Sequence, residues 1–462
     1  MLLKRDGLKM ADSDESDWDS FLSPSARALM RIIRDLEDDA EIDVFQPGPE
    51  IDRLRQIVAS HKGSLHASLK MRIAEVLTLG GIDVITQRDL WTLIEDLWGE
   101  NVSRFSSTEL AVLRGSLEDP KMGLRVLAEK VGLSYSQARR ASQRLRLAGV
   151  LRKEGLLNVE RLGLQQILII LEAPKLVVSS PYITRTLFVD GSNPMVFQVA
   201  SMPTRHIEDL HNITRSLRGT SFRASSWYLS RGQPRFNGKY CTKRGDWKLD
   251  LFHWKLQLRK EEDSLVVGDS PPGKTEVVHF TPADLRILDQ LISNFDATAN
   301  DIVESTSFSD STAFRRRSMI LENEIVIPRT RARIPQLKDR VLVMTSPDCA
   351  GSILGAWSQL PVTYTTRLEN IETREKKVLL LAALPPGTSE SLIKALESSM
   401  SRVDDYSAYI VSAGNEVQLT TTFMYDRKEK TWKWNKGDFL DARTYEIVRR
   451  ECSEGTIPVD LV

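Results

Sequence analysis

Residues 134–153, SYSQARRASQRLRLAGVLRK, place arginine and glutamine at helical spacing beside small apolar residues. Arg and Gln can each make paired hydrogen bonds to guanine or adenine edges in a DNA major groove. On a wheel of 3.6 residues per turn, Ala138, Ala141, Leu145 and Ala148 share one face. Ser136, Arg139, Arg140 and Gln143 point the other way, flanked by Tyr135 and Arg144. Arg146, Arg152 and Lys153 fall toward the helix end and beyond, where phosphate contacts are expected. Positions 121 to 153 hold nine basic residues and one acidic, in a chain whose 63 Lys+Arg and 63 Asp+Glu cancel. Such a run is either a solvated face or a contact with a polyanion. Its single sign and its place on a third helix favour the contact.

The elements around it must present that face. Two shorter helices are expected before it, from Thr108 and from Leu124, with Gly132 closing the second. Ser134 is the expected cap of the third helix and Gly149 its left-handed stop. Two helices and a turn before a third make a helix-turn-helix. VLRKEGLLNVERLG then predicts a ribbon turned at its glycine, a wing. Strands follow at LQQILIILEAP, YITRTLFVDG, PMVFQVASMP and ASSWYLSRG. TRHIEDLHNITRSLRG is the expected amphipathic helix among them, and FNGKYCTKRGDWKLDLFHWKLQL a strand-rich tail.

The pattern recurs. A shift of 175 carries Leu110, Leu113, Glu129, Ser134, Ser136, Ala138 and Arg140 onto Leu285, Leu288, Glu304, Ser309, Ser311, Ala313 and Arg315. A shift of 185 carries Tyr240, Lys243, Trp247 and Lys248 onto Tyr425, Lys428, Trp432 and Lys433. One order of elements held over so long a stretch marks an internal repeat. The second copy is less basic, with eight basic and seven acidic residues from 296 to 340. Its third helix aims Ser311 and Arg315 outward with Thr312 and Arg316 beside them. Its wing carries Arg329, Arg331 and Arg333, suited to a narrow minor groove. With Tyr135, Ser136, Gln137, Arg139, Arg140, Gln143, Arg144, Arg152 and Lys153, these are the candidate DNA contacts. The alternative for the second helix-turn-helix is protein contacts.

The expected fold is α+β and multi-domain. It has an acidic tail at 1–20, a helical region at 21–105, a winged helix-turn-helix at 106–162 and an α+β domain at 163–260. A linker at 261–280 leads to a second winged helix-turn-helix at 281–338, a second α+β domain at 339–440 and a C-terminal tail at 441–462. Cys241, Cys349 and Cys452 form no CxxC pair, which argues against a disulfide framework or zinc knuckle. The six histidines have no metal-ligand spacing, and phosphate loops, dinucleotide fingerprints and nucleophile elbows are missing. No metal, cofactor or catalytic residue is expected, and the chain reads as no enzyme. No run approaches 18 apolar residues, so the expected setting is cytoplasmic without a membrane span.

A winged helix-turn-helix followed by a four-stranded βαββαβ domain resembles the Lrp/AsnC family of transcription regulators. The resemblance rests on LSYSQARRASQRLRLAGVL, on FSDSTAFRRRSMILENEIV with its Ser cap and paired arginines, and on the hinge strand NVERLGLQQILIILEAP. It implies ferredoxin-like domains after each helix-turn-helix. It also implies double-stranded DNA as partner, a small-molecule effector, and pairing of ferredoxin-like sheets within one chain or between copies. The function read from it is sequence-specific DNA binding in transcription regulation. The same two-part fold is resembled by siroheme decarboxylases, so an enzyme of that kind is the alternative, with a protein-interaction scaffold as a third class.

Overall fold

The computed structural model describes residues 19–38, 49–79, 84–102, 104–159, 161–190, 194–210, 212, 223–242, 245–258, 280–306, 308–400, 405–417, 420–435, 437 and 442–454. Most of the expected acidic tail, most of the linker and most of the helix after Thr204 lie outside these residues.

Four helices come first: α1 (Pro24–Glu37), α2 (Pro49–His61), α3 (Leu65–Leu79) and α4 (Gln87–Asn101). Ser23 caps α1, and Thr86 forms a capping box with Asp89 at α4. Their apolar faces close on Leu54, Leu65, Leu69, Leu90, Ile94 and Trp98. The bundle is tied to both halves of the chain. Trp98 Nε1 donates to the Ala148 carbonyl at 2.7 Å, and Gln336 Nε2 donates to the carbonyls of Gly99 and Val102 at 3.2 and 3.3 Å.

The chain then runs through α5 (Ser107–Glu118), α6 (Leu124–Lys130), α7 (Tyr135–Leu147), β1 (Leu151–Leu157), β2 (Leu164–Glu172), β3 (Leu176–Val178), β4 (Ile183–Asp190), β5 (Met195–Pro203), β6 (Arg223–Leu229) and β7 (Gln233–Phe236). A second run follows a related order, with a helix, α11, where the first has β3: α8 (Pro282–Ser293), α9 (Ala299–Thr306), α10 (Asp310–Glu322), β8 (Val326–Ala332), β9 (Asp339–Thr345), α11 (Pro347–Trp357), β10 (Val362–Asn370), β11 (Lys376–Leu384), α12 (Ser389–Ser399) and β12 (Tyr406–Glu416). The protein is thus a mixed α+β molecule of several parts.

Eight strands form a closed antiparallel ring in the order β11-β9-β12-β4-β5-β2-β6-β10, with β10 pairing back onto β11. The first four-strand set stands in the order β4-β5-β2-β6 and the second in the equivalent order β10-β11-β9-β12. Two junctions close the ring, β12 on β4 and β6 on β10. These are the same joint made twice, as a two-fold relation between the sets requires. Alternation along the strands sorts the side chains. Leu168, Ile170, Leu187, Phe197, Leu342, Leu379 and Leu381 belong to one buried cluster, inside the ring. Val341, Val343, Val378 and Leu380 pack outside it against Ile353 and Trp357 of α11 and Leu392 and Leu396 of α12.

Three expectations are corrected. The stretch read as a wing hairpin is a single strand, because its partner lies in the other half: β1 pairs antiparallel with β8, from Leu151 opposite Ala332 to Leu157 opposite Val326. The tail after Phe236 holds an isolated bridge, Cys241 to Trp247, and a short helix, Leu251–Lys255, whose Trp254 is buried under α11. The C-terminal stretch is no tail throughout. It includes β13 (Ala442–Thr444), paired with β3, and α13 (Tyr445–Glu454), whose Tyr445 packs edge-on against Phe188.

Gly155, read as a turn, sits mid-strand opposite Pro328. A Cβ there would lie 2.4 Å from the Leu291 carbonyl oxygen and from Val326 Cγ1. Gly155→Ala is expected to lower stability by about 2 kcal/mol by overpacking this contact, read as a lower midpoint in urea unfolding.

Candidate functional site

Helix α7 is built to present its polar face. Ser134 accepts from the Gln137 N–H at 3.3 Å, and Gln137 Oε1 accepts from the Ser134 N–H at 3.0 Å. Ala138, Ala141, Ser142 and Leu145 are buried, while Gly132 and Gly149 stand at φ +69° and +70° on either side of the helix. Tyr135, Ser136, Arg139, Arg140, Gln143 and Arg144 are exposed. Arg140 Nε bonds its own Ser136 carbonyl at 3.3 Å, and Arg144 pairs with the buried Glu109 at 3.2 Å. Arg139 and Gln143 make no polar contact with another described residue. Gln137 differs from the expectation, since its amide oxygen is engaged in the cap.

The second copy spends its charge internally. Ser309 caps α10, and the Thr312 hydroxyl accepts from Ser309 Oγ at 2.9 Å. Arg316 pairs at 3.3 Å with Asp284, which is fully buried, and Arg317 Nε donates to the Ala297 carbonyl at 2.7 Å. Ser311 and Arg315 remain exposed, beside Phe314 at 65% exposure. Asp310 and Glu322 lie on the same helix.

The arginines expected on wings lie in a different place. Arg331 and Arg333 are 4% and 5% exposed, which rules out insertion into a groove from this conformation. Arg331 Nε meets Glu154 at 2.7 Å, and its guanidinium also pairs with Glu416 of β12. Arg329 reaches Glu154 at 3.1 Å and Glu416 at 3.7 Å, and Arg185 of β4 reaches Glu416 at 3.2 Å. Arg152 meets Glu154 at 3.2 Å with 13% of its side chain exposed. Lys153 meets Asp296 at 3.4 Å and lies over the Phe295 ring. The cause is the β1–β8 pairing, which turns Arg152, Arg329 and Arg331 toward the ring of strands and leaves Lys153 on the other face of β1. Burial alone would raise the Glu416 pKa. The charges of Arg185 and Arg331, the hydrogen bond from Arg331 and the charge of Arg333 outweigh it and bring it from 4.5 to about 2.

This network lines a cavity of about 920 Å³ at one mouth of the ring. Its apolar wall is formed by Leu168, Leu187, Phe197, Leu342, Leu379 and Leu381, and β1, β8 and the end of α5 cover it. Seven arginines and three glutamates line it. Arg231 and Arg235 come from the β6–β7 segment, which folds flat over Tyr364. A Cβ on Gly232 would meet that ring at 2.0 Å, and the Gly232 N–H donates to the Tyr364 hydroxyl at 3.1 Å. Burial pushes the Tyr364 hydroxyl pKa up, against the pull of Arg185, this hydrogen bond and Arg231. Sequence reasoning missed Arg185, Arg231, Arg235, Glu154, Glu416 and Tyr364. No local spacing links them, and only the outward or inward sense of each strand position could have hinted at them. Among the described residues no three His, Cys, Asp or Glu side chains converge as a metal site needs, and no helix is long and apolar enough to cross a membrane.

No protein-family model and no curated protein matches the sequence. Two solved structures are similar to it. One is the siroheme decarboxylase NirDL, at 12% identity over 68% of this chain and 94% of that one, with a TM-score of 0.37. The other is the same enzyme in co-complex with an iron-uroporphyrin III analogue, at 14% identity over 68% and 93%, also at 0.37. The expectation that the chain is no enzyme is withdrawn on this finding, since what it is similar to is an enzyme. At such a TM-score the likeness assigns no activity to this chain.

Proposed function

We propose that the chain is a double-stranded DNA-binding regulator that lays α7 in the major groove. The observation that carries this reading is the exposed face of Arg139, Arg140, Gln143 and Arg144, with no acidic side chain on that helix. In this reading α5–α7 and α8–α10 are helix-turn-helix units. The two four-strand sets are ferredoxin-like domains that pair within one chain, as the resemblance to Lrp/AsnC regulators implies. β1 and β8 act as hinge strands rather than wings. Copy one reads bases, and copy two contributes at most Ser311 and Arg315. Selection of bound genomic fragments, followed by binding isotherms at two salt concentrations, tests it. Affinity that falls steeply with salt is expected, because phosphate contacts release counterions. Failure to bind any fragment at low salt would sink it.

A second reading is a siroheme-decarboxylase-like enzyme, favoured by the size of the cavity at the ring mouth. Its test is a shifted visible absorption band when iron-uroporphyrin III is added to the purified chain.

A further inference from the structure

The β1–β8 ribbon and the β12–β4 joint aim one set of charged side chains at each other. Residues directly opposite in an antiparallel pair share a face. Arg152 stands opposite Arg331 and Glu154 opposite Arg329, so these four point the same way, and Arg185 stands opposite Glu416. They meet: Arg152, Arg329 and Arg331 all reach Glu154, and Arg185, Arg329 and Arg331 all reach Glu416. All six side chains line the ring-mouth cavity. Four guanidinium groups thus share two carboxylates, a formal surplus of two positive charges. Arg333, just past the end of β8, adds its charge at Glu416. This crowding holds the Glu416 pKa at about 2 in spite of its burial. Burying charge without a counter-charge is costly. Arg329 Nε is also buried and meets no acceptor among the described residues.

We infer that this cluster binds a phosphate dianion, either free or as the head of a phosphomonoester. Guanidinium groups hold phosphate oxygens through paired charge-assisted hydrogen bonds. A phosphate group carries close to two negative charges near neutral pH, so it cancels the surplus at one point. A lone carboxylate would cancel half of it. Leu187 lies two residues from Arg185 on the same face of β4, and Leu168, Phe197, Leu342 and Leu381 continue an apolar wall of the same cavity. The organic part of an ester therefore has a place beside its head. Neither the DNA reading nor the enzyme reading is needed for this site. The bound group would join β1 and β4 of the first copy to β8 and β12 of the second, and β1 follows α7 directly past Gly149.

The test uses the full chain without DNA in a buffer free of phosphate and sulfate. Calorimetric titration with inorganic phosphate is expected to show one site per chain. Phosphate is expected to raise the midpoint of urea unfolding, while chloride at equal ionic strength does not. Phenyl phosphate that binds more tightly than inorganic phosphate assigns a phosphomonoester, and phenyl phosphate that binds no more tightly assigns the free ion. R329Q removes one positive charge and is expected to weaken phosphate about tenfold. E416Q removes one negative charge and is expected to tighten it about tenfold, although it destabilises the fold. These opposite signs separate the charge of the site from general damage. Chloride that stabilises the wild type as much as phosphate overturns the inference without recourse to any variant. So does phosphate binding that is equal in R329Q and wild type, or no tighter in E416Q.

Discussion

R139A/R140A is expected to lower affinity for a selected DNA fragment about a hundredfold, and to flatten its dependence on salt. The size follows from two arginines contacting bases or phosphates at about 1–3 kcal/mol each. Both side chains are exposed, and neither carries a tertiary contact that the fold needs: Arg139 touches no other described polar group, and Arg140 bonds only its own helix. Circular dichroism and unfolding of the variant are therefore expected to match wild type, which separates a binding defect from a folding one. R315A is expected to cost tenfold at most, since its helix commits Arg316 and Arg317 to Asp284 and Ala297. Equal losses in R139A/R140A and R315A, measured by fluorescence anisotropy, would show that both helices contact DNA alike. No loss in either would remove α7 as the reading element.

The largest expected effect on stability comes from Glu416→Ala, about 3–5 kcal/mol, the range for removing one partner of a buried ion pair. Glu416 ties β12 to β4 through Arg185 and to β8 through Arg331, so its loss leaves two guanidinium groups short of charge inside the cavity wall. Its folded-state pKa lies below its ordinary value, so its contribution is complete above about pH 4.5 and is lost as pH falls toward 2. Chemical unfolding of wild type and Glu416→Gln should therefore differ by a constant amount from pH 8 to 5 and converge between pH 4.5 and 2. A difference that stays constant down to pH 3 would mean that the carboxylate charge is not what the arginines need. At pH 7 and below the unfolding range, the same variant should leave DNA affinity within a few-fold of wild type, because α7 does not touch Glu416.

The sequence by itself determined the elements and their repetition. Ser134, Gly132 and Gly149 fix where α7 starts and where the turns fall, and 3.6-residue spacing settles which side of it is buried. These signals are local, so they survive without knowledge of the partner surface. Identities at shifts of 175 and 185 likewise pointed to two related runs, and each run opens with three helices and sets its four ring strands in the equivalent order. What the sequence could not decide was which strand pairs with which. β1 and β8 each read as half of a hairpin, because a nearby glycine offers a turn. Their actual partners lie 175 residues apart at Glu154 and Arg329, and pairing across such a distance leaves no local trace. That pairing turned Arg329 and Arg331 from an expected groove contact into the charged lining of a cavity, and left Arg333 buried. Closure of the ring was equally hidden, since the β12–β4 and β6–β10 joints are made between the two copies. The basic face of α7 was legible because a helix displays its own periodicity. The arginine-lined mouth was not, because it exists only where two copies of one pattern meet.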